Sequence, residues 1–242
     1  MGTGITITGG MHIGGTGAKF GTFSPAFANP SLTLGSGTSI VAQSPFGSGN
    51  SYSFTSSANS YINIAGSSDW AVGTGDYTIE WFGYQTATGT APRSFSVGTY
   101  SSAKIANSIE GGTFYYWANN SYRYSNAAGT ILNTWNHWAI CRISGVTKIY
   151  KNGTQLGSQI SDTNNITDSA TALRIGNETS STTTAAYVGY ITNFRWVKGL
   201  GVYTGNFTKP TSALTATATA NPYGGSNTSA ITAGYTKLLL NP

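Results

Sequence analysis

An antiparallel β-sandwich carrying an extended N-terminal arm is the fold this sequence predicts, and three observations predict it. Helical periodicity is nearly absent from residue 50 to about residue 220, where bursts of aromatic and β-branched residues recur at short intervals. Gly, Asn, Asp and Ser clusters separate the bursts, as turns separate the short strands of a sandwich or barrel. Charged residues make up 8% of the chain and Gly numbers 32; solubility therefore rests on Ser, Thr, Asn and Gly, a palette that suits short strands and tight turns.

Residues 1–49 are rich in Gly, Ser, Thr and Pro and read as the arm. So few hydrophobes do not offset the entropy of ordering such a segment alone. Its small alternating patch, Ile5, Ile7, Met11 and Ile13, is the candidate contact with neighbouring proteins in an assembly. Residues 50–242 read as one domain. Strands are expected near 51–55, 61–64, 76–84, 93–98, 113–118, 122–125, 137–143, 146–151, 172–176 and 187–197, with a last one at 236–240 on the apolar run Leu238-Leu239-Leu240.

Within 76–84, Tyr77, Ile79 and Trp81 alternate with Thr78, Glu80 and Phe82, so one face is wholly apolar and the other mixed. Asn152-Gly153 between Ile149-Tyr150-Lys151 and Thr154-Gln155 supplies the two positive-φ positions of a type I′ hairpin turn. A second hairpin is expected over 114–125 with Asn119-Asn120 as its turn. In that register Trp117 faces Tyr122 and Tyr115 faces Tyr124, while Tyr116 lies opposite Arg123 on the other side. Four aromatics at roughly 150–250 Å2 each exceed what a monomer leaves in water, so this face is either core or a binding surface.

The formal net charge is +5, but the twelve Lys and Arg are scattered and only Lys148/Lys151 and Arg195/Lys198 come close together. That is not the stripe or arm of a nucleic-acid binder, and no nucleic acid is expected. No apolar run approaches 18 residues, which excludes a helical membrane span. The opening residues carry no basic and apolar signal segment, so synthesis in the cytoplasm is expected. One Cys, Cys141, forms no intrachain disulfide.

The order of segments resembles a laminin G-like, concanavalin-type jelly roll. Ser60-Tyr61-Ile62-Asn63-Ile64 and Asp76-Tyr77-Thr78-Ile79-Glu80-Trp81 look like its opening strands. Trp135-Asn136-His137-Trp138-Ala139, Ile149-Tyr150-Lys151-Asn152-Gly153, Leu173-Arg174-Ile175-Gly176 and Gly189-Tyr190-Ile191-Thr192-Asn193-Phe194-Arg195 look like its later ones. Val202-Tyr203-Thr204-Gly205-Asn206-Phe207 with Thr236-Lys237-Leu238 is similar to the variant found in virion proteins of tailed bacteriophages. The resemblance implies a non-catalytic virion component, a capsid decoration or a tail or fibre part. It would sit on the particle surface, meet other virion proteins through the arm and, by analogy, form a homo-oligomer. In place of the family's usual acid in the closing strand stands Thr192, followed by Asn193.

Catalysis by a jelly-roll glucanase needs two neighbouring carboxylates, and here Glu80 is followed by Trp81, Phe82, Gly83 and Tyr84. Asp76 and Glu80 alone share an expected strand, with backbones roughly 13 Å apart, beyond the roughly 5–9.5 Å such pairs use. No enzyme is expected. Period two places His137, Ala139, Cys141 and Ile143 on one packed face. The Gly-rich runs lack the Gly-Lys-Ser/Thr ending of a phosphate loop. No cofactor follows, although Asp69, Asp76, Asp162 and Asp168 lie where oxygen ligands of a structural calcium gather, and where turns favour Asp for local reasons. The candidate glycan-binding residues are Tyr115, Trp117 and Tyr122, whose flat faces suit sugar rings, with Asn119, Asn120 and Arg123 as polar partners. Host-surface glycans are then the outside partner, and a dedicated receptor-recognition protein is the alternative to a structural one.

Overall fold

The structure, a computed structural model, describes residues 31–129 and 131–242 together with the backbone of Thr6–Ile7. Its strands are β1 (Thr6–Ile7), β2 (Leu32–Leu34), β3 (Thr38–Val41), β4 (Ser51–Phe54), β5 (Ile62–Ile64), β6 (Tyr77–Gln85), β7 (Phe95–Val97), β8 (Ile105–Glu110) and β9 (Thr113–Ala118). They continue with β10 (Ser121–Ala127), β11 (Trp135–Ile143), β12 (Val146–Lys151), β13 (Thr154–Gln155), β14 (Ile160–Ser161), β15 (Leu173–Ile175), β16 (Gly189–Lys198) and β17 (Thr236–Leu240). Two sheets form, an eight-stranded one in the order β1-β2-β5-β15-β7-β8-β9-β10 and a nine-stranded one in the order β13-β12-β11-β6-β16-β4-β3. In the second, β14 also pairs with β12 and β17 with β16. Ladder after ladder is antiparallel, and the predicted sandwich is the fold observed.

Period two decides which residues meet between the sheets. Tyr77, Ile79 and Trp81 of β6 point inward with Trp138 and Ile140 of β11 and Phe194 and Trp196 of β16. Phe95, Ile105, Ile109 and Phe114 answer from the eight-stranded sheet. Trp81 lies 5.4 Å from Phe95, 6.5 Å from Phe114 and 6.4 Å from Phe194 between ring centroids, and Trp70 meets Trp196 edge-on at 5.4 Å. Edge-to-face and offset rings of this kind add to the area they bury.

One end of this core is polar, a feature that alternation does not announce. Tyr77 and Tyr116 hydroxyls lie 2.6 Å apart across the sheets, and Tyr116 donates to Asp162 Oδ2 at 3.0 Å. Thr147 donates to the same oxygen at 2.9 Å. Arg142, buried beside them, stacks 4.7 Å over the Tyr77 ring and donates to the carbonyls of Gly73, Gly75 and Asn164. Burial is tolerable because these groups find partners.

Three expectations need correction. The sandwich takes in strands before residue 50, since β1 pairs with β2, β2 with β5 and β3 with β4. Strands β2 and β3 are three and four residues long and bury little beyond Leu32, too short for alternation to register. Gly35 in the turn between them is required by space, because a Cβ there would sit 2.1 Å from the Asn59 carbonyl oxygen. Strand β8, with its Ala, Asn and Ser among two isoleucines, was likewise absent from the expected set, yet Ile105, Asn107 and Ile109 all face inward.

The third correction concerns the aromatic hairpin. Asn119 and Asn120 do form its two-residue turn, at φ 49° and 61°, as Asn152 and Gly153 do at 52° and 83°. Trp117 does face Tyr122, but the register then shifts, so that Tyr124 pairs with Tyr116 and Ser125 with Tyr115. A bulge at Arg123 turns the following side chains over. Tyr124 therefore joins the inner side, where its hydroxyl donates to the Leu156 carbonyl, and the outer face holds three aromatics, not four.

Trp81 touches rings from both sheets, so Trp81→Ala should cost about 3–5 kcal/mol. Urea unfolding followed by circular dichroism measures this directly.

Candidate functional site

Outward-facing positions of the eight-stranded sheet build a cleft of about 380 Å3, lined by Thr90, Ala91, Tyr100, Glu110, Tyr115, Trp117 and Tyr122. Glu110 ends β8, Tyr115 and Trp117 sit two apart on β9, and Tyr122 lies across from Trp117 on β10. Thr90 and Ala91 form a wall from the loop after β6, and Tyr100 comes from a single 3-10 turn, Tyr100–Ser102. The rings are mutually placed: Tyr115 stacks on Trp117 at 5.9 Å, while Tyr122 and Tyr100 meet it edge-on at 6.0 and 6.1 Å. Trp117 is 7% exposed, but Tyr122 and Tyr100 are 53% and 63% exposed. Two rings thus stand in water around a fixed third, and the volume lies within the roughly 300–1,000 Å3 usual for ligand pockets.

Trp117 is held from behind. The buried Arg93 guanidinium sits 4.1 Å from its ring centroid and 5.5 Å from that of Tyr100. Burial pulls the Arg93 pKa below its ordinary value, against Glu178 and Glu110, which pull it upward.

The nine-stranded sheet has its outer face covered. Residues 199–235 cross it, and Val202, Tyr203, Phe207 and Ile231 pack on Ala139, Cys141, Tyr150 and Val197. Tyr203 and Phe207 stack at 3.6 Å and 9°. Beneath them Glu80 accepts from Arg195 Nε and Nη2 at 2.9 and 2.6 Å, from Tyr203 at 2.6 Å, and from His137 Nε2 at 2.9 Å. Burial alone would raise the Glu80 carboxyl; the Arg195 guanidinium and the His137 and Tyr203 hydrogen bonds outweigh it and hold it at about 2. Burial also keeps His137 below its ordinary value although Glu80 pulls it up, so the ring is a neutral donor. Cys141 lies on this packed face, its thiol pushed up to about 11 by burial. An apolar hollow of about 260 Å3 opens beside it, between Ile143, Val146, Lys148, Gln159, Tyr203 and Thr204.

Of the six residues expected at a glycan site, the structure brings Tyr115, Trp117 and Tyr122 together and leaves Asn119, Asn120 and Arg123 outside the cleft. Asn120 accepts from Lys104 at the hairpin tip, and Arg123 turns away to donate to Asn164 at 2.6 Å. Sequence reasoning missed Thr90, Ala91, Tyr100 and Glu110. Glu110 shares the outward phase of Ala106 and Ser108, but that signal needs β8 to be recognised first. Ile5, Met11 and Ile13 lie outside the described residues, as does the side chain of Ile7. The four Asp residues each have hydrogen-bond partners, local for Asp69 with Ser67 and Asp168 with Ala170 and Thr171, distant in sequence for Asp76 with Ser144 and Asp162 with Tyr116 and Thr147. Among the described residues no three His, Cys, Asp or Glu side chains gather as a metal site would need.

Two stacked antiparallel sheets with an aromatic cleft on one outer face define a lectin-like sandwich. The chain belongs to the concanavalin A-like lectin/glucanases superfamily, whose laminin G-like family matches residues 31–200. Among solved structures it is similar to the enzymatically active domain of tailspike protein 2 from bacteriophage CBA120, at 12% identity and a TM-score of 0.55, covering 74% of this chain and 30% of that one. The full-length tailspike protein 2 gives 12% identity and a TM-score of 0.51, covering 68% and 25%. Domain 4 of an extracellular arabinanase from Geobacillus stearothermophilus, in complex with arabinotriose, gives 14% identity and a TM-score of 0.47, covering 67% and 75%. At these identities the likeness is one of fold, and the chain spans less than a third of either tailspike chain. No curated protein matches the chain by sequence.

Glu80→Gln leaves Arg195 buried without its counter-charge, which should cost about 3–5 kcal/mol at neutral pH. Because the folded carboxyl titrates near 2 and the ordinary value is 4.5, its contribution is complete above about pH 4.5 and lost as pH falls through about 2. Urea midpoints of the native protein and the variant should therefore differ most at pH 6 and converge toward pH 2.

Proposed function

We propose that the chain is a non-catalytic structural component of a bacteriophage particle that carries its sandwich on the particle surface and contacts host glycans through the aromatic cleft. The observation that carries this reading is the cleft itself. Tyr115, Trp117, Tyr122 and Tyr100 give flat apolar faces for sugar rings, and Glu110 and Thr90 give polar groups for their hydroxyls. Aromatic rings left in water at the edge of a cleft, instead of being folded into the core, mark a surface meant for contact.

The absence of paired acids supports a binding role. Glu110 is the one carboxylate among the residues lining the cleft, and Glu80 is sealed under Tyr203 and neutralised by Arg195. A retaining or inverting glycosidase needs a second carboxyl within about 5–9.5 Å of the first. The phage setting rests on the bacteriophage variant of the fold that the sequence resembles, and the likeness to the tailspike adds a fold shared with one phage particle protein. Residues 1–30 belong to this reading as the contact with other virion proteins.

Tyr122→Ala and Tyr100→Ala remove exposed rings and should leave the urea midpoint within about 0.5 kcal/mol of the native value. Each should lower glycan-array or host-cell binding at least tenfold; retained binding by both variants would place recognition elsewhere. Deleting residues 2–28, which removes only the two-residue edge strand β1 from the sheets, should abolish incorporation into particles while the rest of the sandwich stays folded by circular dichroism. Particles that incorporate the shortened chain normally would remove the anchoring role.

A further inference from the structure

The cleft differs in charge from the chain that carries it. The protein has twelve Lys and Arg against seven Asp and Glu, yet among the described residues the one charged side chain lining the cleft is Glu110. Ser108 donates to Glu110 Oε1 from the same strand and the same outward face, which orients the carboxylate. Oε2 is then left to accept from whatever enters.

Arg93 does not line the cleft, although Glu110 is one of the charges that act on it. Arg93 is buried with its guanidinium against the Trp117 ring, and its Nε and Nη1 find no hydrogen-bond partner among the described residues. The guanidinium also occupies one face of Trp117 and keeps the ring in place, while the exposed rings of Tyr122 and Tyr100 are the ones open to contact. The aromatic rings accept a sugar of any charge; the carboxylate does not. Hydroxyls donating to an ionised carboxylate form charge-assisted bonds, stronger than neutral ones. A uronate, sialate or sulfate brought beside Glu110 in a partly dehydrated cleft meets a like charge, and such repulsion is what excludes wrong partners.

We infer that the cleft takes uncharged, hydroxyl-rich glycans and turns away acidic ones, and that Glu110 is the residue that sets this choice. The inference rests on the glycan reading of the same cleft.

Matched pairs of polymers test it: mannan against mannuronan, glucan against glucuronan and galactan against galacturonan, with chitosan oligosaccharides as the cationic arm. Binding is measured by titration calorimetry at one fixed ionic strength, since screening reaches across about 8 Å at physiological salt. The full-length protein should bind a neutral member at least tenfold more tightly than its acidic partner, and Glu110→Gln should weaken its binding of chitosan. Glu110→Gln should shrink the neutral-to-acidic ratio to threefold or less with an unchanged urea midpoint. A ratio unmoved by Glu110→Gln, a preference of the native protein for the acidic member, or chitosan binding unchanged by Glu110→Gln would overturn the role of Glu110 while leaving the site in place. Tyr122→Ala in parallel separates the two claims. Should it bind every polymer as the native protein does, or should no polymer bind at all, the glycan reading of the cleft falls and this inference falls with it.

Discussion

The stack of aromatic rings centred on Trp81 is the interaction on which the molecule depends. Trp81 of the nine-stranded sheet touches Phe95 and Phe114 of the other sheet and Phe194 of its own. Because strand side chains alternate strictly, committing those residues to the interior commits every neighbour to the outside. Glu80 and Phe82 are thereby forced outward on β6, as are His137 and Cys141 on β11, and Tyr115 and Trp117 on β9. The outer faces are the remainder left by the core, and the two sheets treat that remainder in opposite ways.

On the nine-stranded sheet the outward residues are sealed. Residues 199–235 bring Tyr203 and Phe207 down over the sheet, and the tyrosine hydroxyl completes the shell of hydrogen bonds around Glu80. A guanidinium, an imidazole and a phenol each donate to one carboxylate, which is the arrangement that makes a buried charge tolerable. Asn193 strengthens the cover: at φ 53° it breaks the regular pairing of β16 with β6, and its side-chain oxygen accepts from the Leu214 N–H at 2.7 Å. Thr192, which stands where the resemblance leads one to expect an acid, donates to the Asn50 carbonyl at 3.0 Å, and its neighbour Asn193 fastens the covering segment.

On the eight-stranded sheet the outward residues stay partly open. Arg93 and Tyr100 cover one side of Trp117, the bulge at Arg123 diverts Tyr124 inward, and the rings that remain stand around a hollow with a single carboxylate. The same device that spoiled the simple hairpin register also shaped the cleft. Had pairing continued unbroken, Tyr124 would extend the aromatic face along the strand, and the hydrogen bond from its hydroxyl to Leu156 that ties the hairpin to the opposite sheet would be lost.

The sandwich, the inward phase of Tyr77, Ile79 and Trp81, both Asn-containing turns, the packed face of His137 and Cys141, and the closing strand Thr236–Leu240 were all legible in the amino-acid sequence, because each follows from local alternation or from the φ a turn demands. So was the meeting of Tyr115, Trp117 and Tyr122, which lie two apart or directly across one short hairpin. The strands before residue 50 were not, since strands of two to four residues carry too few side chains to display a period. The Glu80–Arg195 pair, the Tyr116–Asp162 bond and the placing of Glu110 and Tyr100 beside the hairpin were decided by the tertiary structure alone. The Tyr116–Asp162 and Glu80–Arg195 contacts join residues 46 and 115 positions apart, and no local pattern records a contact that exists only after two sheets have stacked and a covering segment has closed over them.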